Sequence, residues 1–154
     1  HCFLNKMEKK KTYVLMLSQV FPKTHNKAGM PTEFKEKVLN KKKIHTIRAN
    51  YHLWERRIKE VQEGRAVLAV RQWTGKPYCS KQVEIARLTT EDGVGIQLLE
   101  LTNDLSECIV GDHRYSYVSV AKNDGLHPAD WLDWFSCYDL SKPMAIINFT
   151  QFRY

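Results

Sequence analysis

Three short stretches of the chain hold the side chains able to do chemistry. The first is Lys43-Ile44-His45-Thr46-Ile47-Arg48. A strand alternates its side chains, so Thr46 and Arg48 share one face. Lys43 joins them only if it sits on the turn before the strand or at a bulge. A Thr hydroxyl beside a Lys amine is an activated nucleophile where burial lowers the Lys pKa. The planar fork of Arg48 suits a phosphate or a base edge. The competing reading is an ordinary edge strand with exposed cations. The second stretch is Ala121-Lys122-Asn123-Asp124-Gly125-Leu126, followed by Trp131, Trp134 and Phe135. Asn-Asp-Gly is turn chemistry. From that turn Asp124 can project into a pocket as an acid/base or as an anchor for a ligand amine, with Asn123 beside it as a ligand contact. The three aromatic residues are read as core. The third stretch carries Arg71, Gln72, Trp73, Tyr78 and Lys81 around a Thr74-Gly75-Lys76-Pro77 turn. Aromatic, amide and cationic side chains interleaved in this way suit base stacking with edge hydrogen bonds; the competing reading is a solvated hairpin tip.

Other routes to catalysis lack their motifs. The cysteines at 2, 79, 108 and 137 form no C-x-x-C pair and have no His at finger spacing, so no metal is expected. There is no G-x-S-x-G elbow, no G-x-G-x-x-G and no G-x-x-x-x-G-K-[ST], and no cofactor is called for. A hydroxyl activated by a neighbouring amine is the main nucleophile on offer, and Lys43 and Thr46 supply it.

The elements that must position these groups follow from hydrophobic period and breakers. Strands are expected at 13–18, 43–49, 66–73, 82–88 and 95–101, at 115–120 where YSYVSV alternates, and at 145–149. Helices are expected at 32–40, capped by Thr32 with a Phe34, Val38, Leu39 stripe, and at 51–63, capped by Asn50 and stopped by Gly64. A third is expected from Pro128 to about Cys137. The resulting fold class is α+β: a small, twisted, mostly antiparallel barrel or half-barrel with about three helices around it. Residues 1–12 are set aside as an extension or tag remnant, with Met7 a plausible natural start, and 13–154 form a single domain. At 154 residues such a domain can bury roughly 70% of its unfolded surface.

The formal charge is +7 and the pI about 9.2, with basic runs at 9–11 and 41–43. A basic surface attracts polyanions, so nucleic acid leads as partner class. No apolar run approaches the roughly 20 residues of a membrane helix, and no signal peptide is recognised. Isolated thiols fit a reduced, cytoplasmic setting.

Taken together, the K-x-x-T-I-R block at 43–48, the G-R-A-V-L-A-V-R-Q-W strand at 64–73 and the A-K-N-D-G-L turn with its W-x-x-W-F helix at 121–135 resemble the ASCH domain of the PUA-like superfamily. The resemblance runs from about Tyr13 to Tyr154. It implies a β-barrel with helices packed outside, a ligand cleft beside the barrel, and association with RNA. One small bacterial branch, an amidohydrolase of N4-acetylcytidine, is similar in its motifs. Its Lys and Thr fall on Lys43 and Thr46, its motif Arg on Arg48 and its Glu on Asp124, a carboxylate one methylene shorter. Three readings follow: a binding module for RNA, single-stranded nucleic acid or a modified nucleoside; an amidohydrolase using Lys43, Thr46 and Asp124; and a protein-interaction domain with a vestigial pocket.

Overall fold

The computed structural model describes residues 9–154. The expectations about residues 1–6 and Met7 lie outside them. Strand β1 (Lys11–Leu17) pairs in parallel with β3 (Ala66–Trp73), and β3 pairs antiparallel with β4 (Gln82–Leu88). A second sheet has the order β2 (His45–Arg48), β8 (Met144–Asn148), β5 (Gly95–Leu101), β6 (Glu107–Val110), β7 (His113–Ser116), antiparallel throughout. The helices are α1 (Phe34–Leu39), α2 (Tyr51–Gln62), α3 (Tyr117–Asn123) and α4 (Pro128–Phe135). The chain is therefore α+β, with eight strands and four α-helices among its described residues.

Most elements follow from local sequence. In α2, Trp54, Ile58 and Val61 recur at helical spacing and are buried. Asn50, in the left-handed region, accepts the Leu53 N–H at 3.3 Å. The β3–β4 hairpin has the expected limits, with a bulge between Val70 and Arg71. The core unites both sheets and the helices: Leu68, Leu99, Ile146, Ile147, Val120 and Trp131 are all fully buried.

Several expectations are corrected. The first strand takes in Lys11 and Thr12, which the boundary at 13 leaves outside. That strand is parallel to its neighbour; parallel strands need a long crossover, and 18–65 with α1 and α2 supply it. The second strand starts at His45 and not at Lys43. The stretch 115–120 is not a strand. Strand β7 ends at Ser116, whose side chain accepts the Val118 N–H at 3.2 Å and caps α3. Alternation over six residues is too short to distinguish the two periods, and the cap decides. Residues 107–110 form a strand the sequence reading leaves out. Thr32 is not the cap residue of α1, which is Glu33; the Thr32 hydroxyl donates to the Ser18 carbonyl at 2.7 Å while accepting from Phe34 N at 3.3 Å. Leu39 is exposed, since a six-residue helix buries only Phe34 and Val38.

Gly125 joins the fold to the site. It follows α3 with φ +77°, and a Cβ there would lie 2.9 Å from the Lys43 Cβ. Gly64 has the same φ with nothing within 4 Å of its would-be Cβ. Gly64→Ala should therefore cost only the left-handed penalty, about 1–2 kcal/mol. Gly125→Ala should cost clearly more, because Lys43 must also move. Urea unfolding of the two variants measures the difference; equal losses would show that Lys43 yields freely.

Candidate functional site

The short strand β2 is the edge of the five-stranded sheet. Thr46, Ile47 and Arg48 all line one cavity of about 350 Å³. Lys43 enters from the turn before the strand. It forms an isolated antiparallel bridge with Asp124, and Ile44 N donates to the Asn123 carbonyl at 2.9 Å. This bridge carries a pairing 81 residues apart in sequence and brings the two motifs to one floor.

Lys43 and Asp124 are 2% and 3% exposed. Lys43 Nζ donates to Asp124 Oδ1 at 2.7 Å and to the Asp124 carbonyl at 2.7 Å. It also stands 4.2 Å from the Phe34 ring centroid, a cation–π contact. Burial pulls Lys43 below its ordinary value against the attraction of Asp124. Burial alone would raise Asp124; the Lys43 ammonium and the facing His45 outweigh it and hold the carboxyl below its ordinary range. Asp124 is not a cap for α4: His127 is, with Nδ1 accepting the Ala129 N–H at 3.2 Å.

Arg48 is half-buried. One of its terminal nitrogens donates to the Met16 carbonyl, and its buried Nε has no partner among the described residues. Burial lowers its pKa, opposed by Tyr138 and Asp124, but a guanidinium stays protonated in any working range. Thr46 is buried at 6% exposure beside it on the cavity wall.

The remaining walls are aromatic or come from the loop after β1. Phe34, Trp134, Phe135 and Tyr138 line the cavity, with Ser18, Pro22 and Thr24 opposite. That loop is tied to α4. His25 Nδ1 accepts the Lys27 N–H at 2.9 Å, which leaves Nε2 to donate to the Asp130 carbonyl at 2.9 Å. Asn26 N donates to Asp133 Oδ2 at 2.7 Å, and Lys27 pairs with Asp130 at 2.9 Å. Phe21 meets Trp134 edge-on, with ring centroids 5.7 Å apart.

No family model, no curated protein and no solved structure matches this chain. The site is therefore read from its own geometry. That geometry gathers Lys43, Thr46, Arg48 and Asp124 and leaves the other expected contacts elsewhere. Asn123 Nδ2 donates to Tyr154 Oη at 3.0 Å and does not line the cavity. Gln72 lines a separate hollow that shares Phe34 with the cavity. Arg71 is engaged by Glu84 and Gln82, each at 3.2 Å. Trp73 and Tyr78 pair at 5.3 Å with Tyr78 89% exposed, and Lys81 is also exposed. Among these hairpin residues none lines the cavity.

Three features escape the sequence reading. Trp134 is a wall of the cavity and not core, because Trp131 and Phe135, four residues apart, take the buried face of α4. Lys43, one member of a basic run, is buried, while Lys41 and Lys42 are exposed. His45, read only as a spacer within its motif, is fully buried against Asp124. The thiols of Cys79 and Cys137 are exposed; Cys108 is buried and pushed up to about 12 by burial. Among the described residues no three His, Cys, Asp or Glu side chains gather as a metal site requires. No described helix is long and apolar enough to cross a membrane.

Removing one partner of a buried pair strands the other charge. Lys43→Met should cost roughly 3–5 kcal/mol, and adding Asp124→Leu should recover much of that loss. Losses that simply add in chemical denaturation would show that the pair does not interact. The pH dependence has a definite sign. Asp124 sits below its ordinary value when folded, so the unfolded chain binds more protons there and stability rises with pH. The contribution is complete above the ordinary carboxylate range and is lost as pH falls through the lower folded value. In Lys43→Met the stranded carboxyl is raised instead. The gap between wild type and variant should therefore narrow on acidification from neutral pH.

Proposed function

We propose that this chain is an RNA- or nucleotide-binding domain of the ASCH, PUA-like kind that takes one nucleoside-like group into the Lys43–Thr46–Arg48–Asp124 cavity. The observation that carries the reading is that a charged floor and aromatic walls share one enclosure of about 350 Å³. That volume lies at the small end of ligand sites, and the lining follows their pattern of apolar walls with a few placed polar groups. A base needs a flat apolar slot for its faces and donors and acceptors for its edge. Phe34, Trp134 and Tyr138 offer the first; Arg48, Thr46 and Asp124 offer the second.

In this reading the two sheets are the halves of a small PUA-like barrel, and the domain works in the cytoplasm. Arg71, Trp73, Tyr78 and Lys81 meet nucleotides that flank the one in the cavity. Leu17 and Ser18 line the cavity, and Leu17 pairs with Gln72, so the hairpin continues past the end of β1 from the cavity's edge. The formal charge of +7 favours a polyanionic partner.

A second reading, hydrolysis of an acyl amide on a cytidine-like base, draws on one observation: burial depresses Lys43, and Lys43 lines the same cavity as Thr46. In that reaction neutral Lys43 takes the Thr46 hydroxyl proton, the alkoxide attacks the acyl carbon, and the base amine leaves with a proton. Water then releases the acyl group from Thr46.

Binding of cytidine and of short RNAs can be followed by calorimetry or by Trp134 fluorescence. Arg48→Ala should weaken binding about tenfold or more, since it removes charge-assisted, partly desolvated bonds. Lys9→Ala, which removes an exposed and screened charge, should change it less than about twofold. Equal losses with equal salt slopes would mean diffuse binding outside the cavity. Turnover of N4-acetylcytidine, read by absorbance, should rise with pH as Lys43 loses its proton. It should vanish in Lys43→Arg, whose guanidinium cannot serve as base, and in Asp124→Asn. Equal rates for wild type and Lys43→Arg would take Lys43 out of the chemistry, and absence of turnover in wild type would leave the binding module.

A further inference from the structure

We infer that His45 is a positioning residue for the Asp124 carboxylate, held as the Nδ1–H tautomer by a hydrogen-bond chain from Asn123 and Tyr154 outside the cavity. The inference holds whatever ligand the cavity takes. It rests on counting hydrogens along a buried path. Asn123 Nδ2 can only donate, and it donates to Tyr154 Oη at 3.0 Å. Tyr154 Oη lies 2.6 Å from His45 Nε2. With one lone pair taken by Asn123, the tyrosine hydrogen has Nε2 as its acceptor. Nε2 is then unprotonated, and the ring carries its hydrogen on Nδ1. Nδ1 faces Asp124 Oδ1 at 3.6 Å, a charge–dipole approach beyond hydrogen-bond distance, and has no hydrogen-bond partner among the described residues; the same oxygen accepts Lys43 Nζ at 2.7 Å.

The opposite tautomer fails on both sides. It would turn a bare Nδ1 lone pair toward a carboxylate, and it would leave the tyrosine hydrogen without its acceptor. A doubly protonated ring would place a further charge in a fully buried position. Burial lowers His45 even against Asp124, which favours the neutral ring, and burial also raises Tyr154, which keeps its hydrogen in place.

Among the described residues the surroundings add no competing hydrogen-bond partner. Across β8 the register neighbour of His45 is Asn148, whose side-chain amide has no partner among the described residues. Tyr115 packs on Tyr154 at 5.2 Å, and the neutral Cys108 thiol lies on the same side. Lys37 and Arg48 act on Lys43, and the Lys43 charge in turn lowers His45 directly. The backbone of Tyr154 is pinned by Gln97, which donates to its carbonyl at 3.0 Å and accepts its N–H at 3.1 Å. The phenol therefore has a fixed base to work from. Both contacts to the carboxylate fall on Oδ1. That arrangement leaves Oδ2 as the oxygen for a ligand donor, and turning the carboxylate would break the Lys43 bond and carry Oδ1 away from Nδ1.

Ring-nitrogen NMR of the unliganded wild type tests the tautomer directly. The expected result is a protonated-type shift for Nδ1 and an unprotonated-type shift for Nε2, unchanged between about pH 8 and pH 5. A protonated Nε2, or a ring that gains its second proton in that window, would overturn the inference. Carboxyl-carbon NMR of Asp124 tests the positioning. His45→Leu removes the facing donor and should move the Asp124 midpoint up by about one pH unit. His45→Asn, whose amide N–H replaces that of Nδ1, should return it toward the wild-type value. A midpoint unmoved in a folded His45→Leu would refute the role. Should that variant not fold, a tautomer other than Nδ1–H in wild type, or an Asp124 midpoint in His45→Asn about one pH unit above that of wild type, refutes it instead. Cytidine affinity is not a readout here, so failure of the binding proposal leaves this test intact.

Discussion

The Lys43–Asp124 ion pair constrains everything around it. Two opposite charges that are almost wholly withdrawn from water must satisfy each other and their remaining hydrogen-bonding capacity inside the protein. Lys43 does so with the Asp124 carboxylate, the Asp124 carbonyl and the face of Phe34. Asp124 needs the lysine, and its backbone N–H closes α3 on Val120 and Ala121. Gly125 has to be a glycine at φ +77° with Lys43 packed where a side chain would stand. Lys37 then reaches the Gly125 carbonyl at 2.8 Å, so α1 is fastened to the same turn. A single buried interaction thus joins the turn before β2, the end of α3 and helix α1.

Such pairs seldom add net stability over an apolar replacement of equal volume. What this one supplies is a charged floor in a cavity whose other surfaces are aromatic and aliphatic. Exclusion of water strengthens every polar contact a ligand could make there. Arg48 brings a second cation to the enclosure at the edge strand, with one terminal nitrogen already spent on Met16 and the Nε hydrogen unspent. The tether between the loop after β1 and α4 keeps the opposite wall in place through backbone-directed bonds, which hold their geometry better than exposed ion pairs do.

The sheet that carries β2 also has a second polar line on its other side, from Asn123 through Tyr154 to His45. Without it the His45 ring would be an orphan in the core. With it, Nε2 has a hydrogen-bond partner, and Nδ1 is left facing the carboxylate oxygen that Lys43 holds, so the cavity floor is joined to residues that do not line the cavity.

Much of this was legible from local pattern. The helical stripe of α2 with its Asn50 cap, the β3–β4 hairpin and the turn glycines depend on interactions within a few residues, so single-chain periodicity suffices for them. The residue types of the floor were visible too, although an ordinary edge strand with exposed cations explained Lys43, Thr46 and Arg48 as well. Three things were decided only by the tertiary structure. The helix over Tyr117–Asn123 overrode a six-residue alternation because Ser116 could cap it. Trp134 became a cavity wall because α4 had two other aromatic residues for its core face. His45 acquired a partner set drawn from residues 78 and more positions away. Sequence determines what each side chain can donate, accept or ionise; which of those capacities is spent inside the protein and which is left for a ligand depends on contacts between distant segments, and these exist only once the chain has packed.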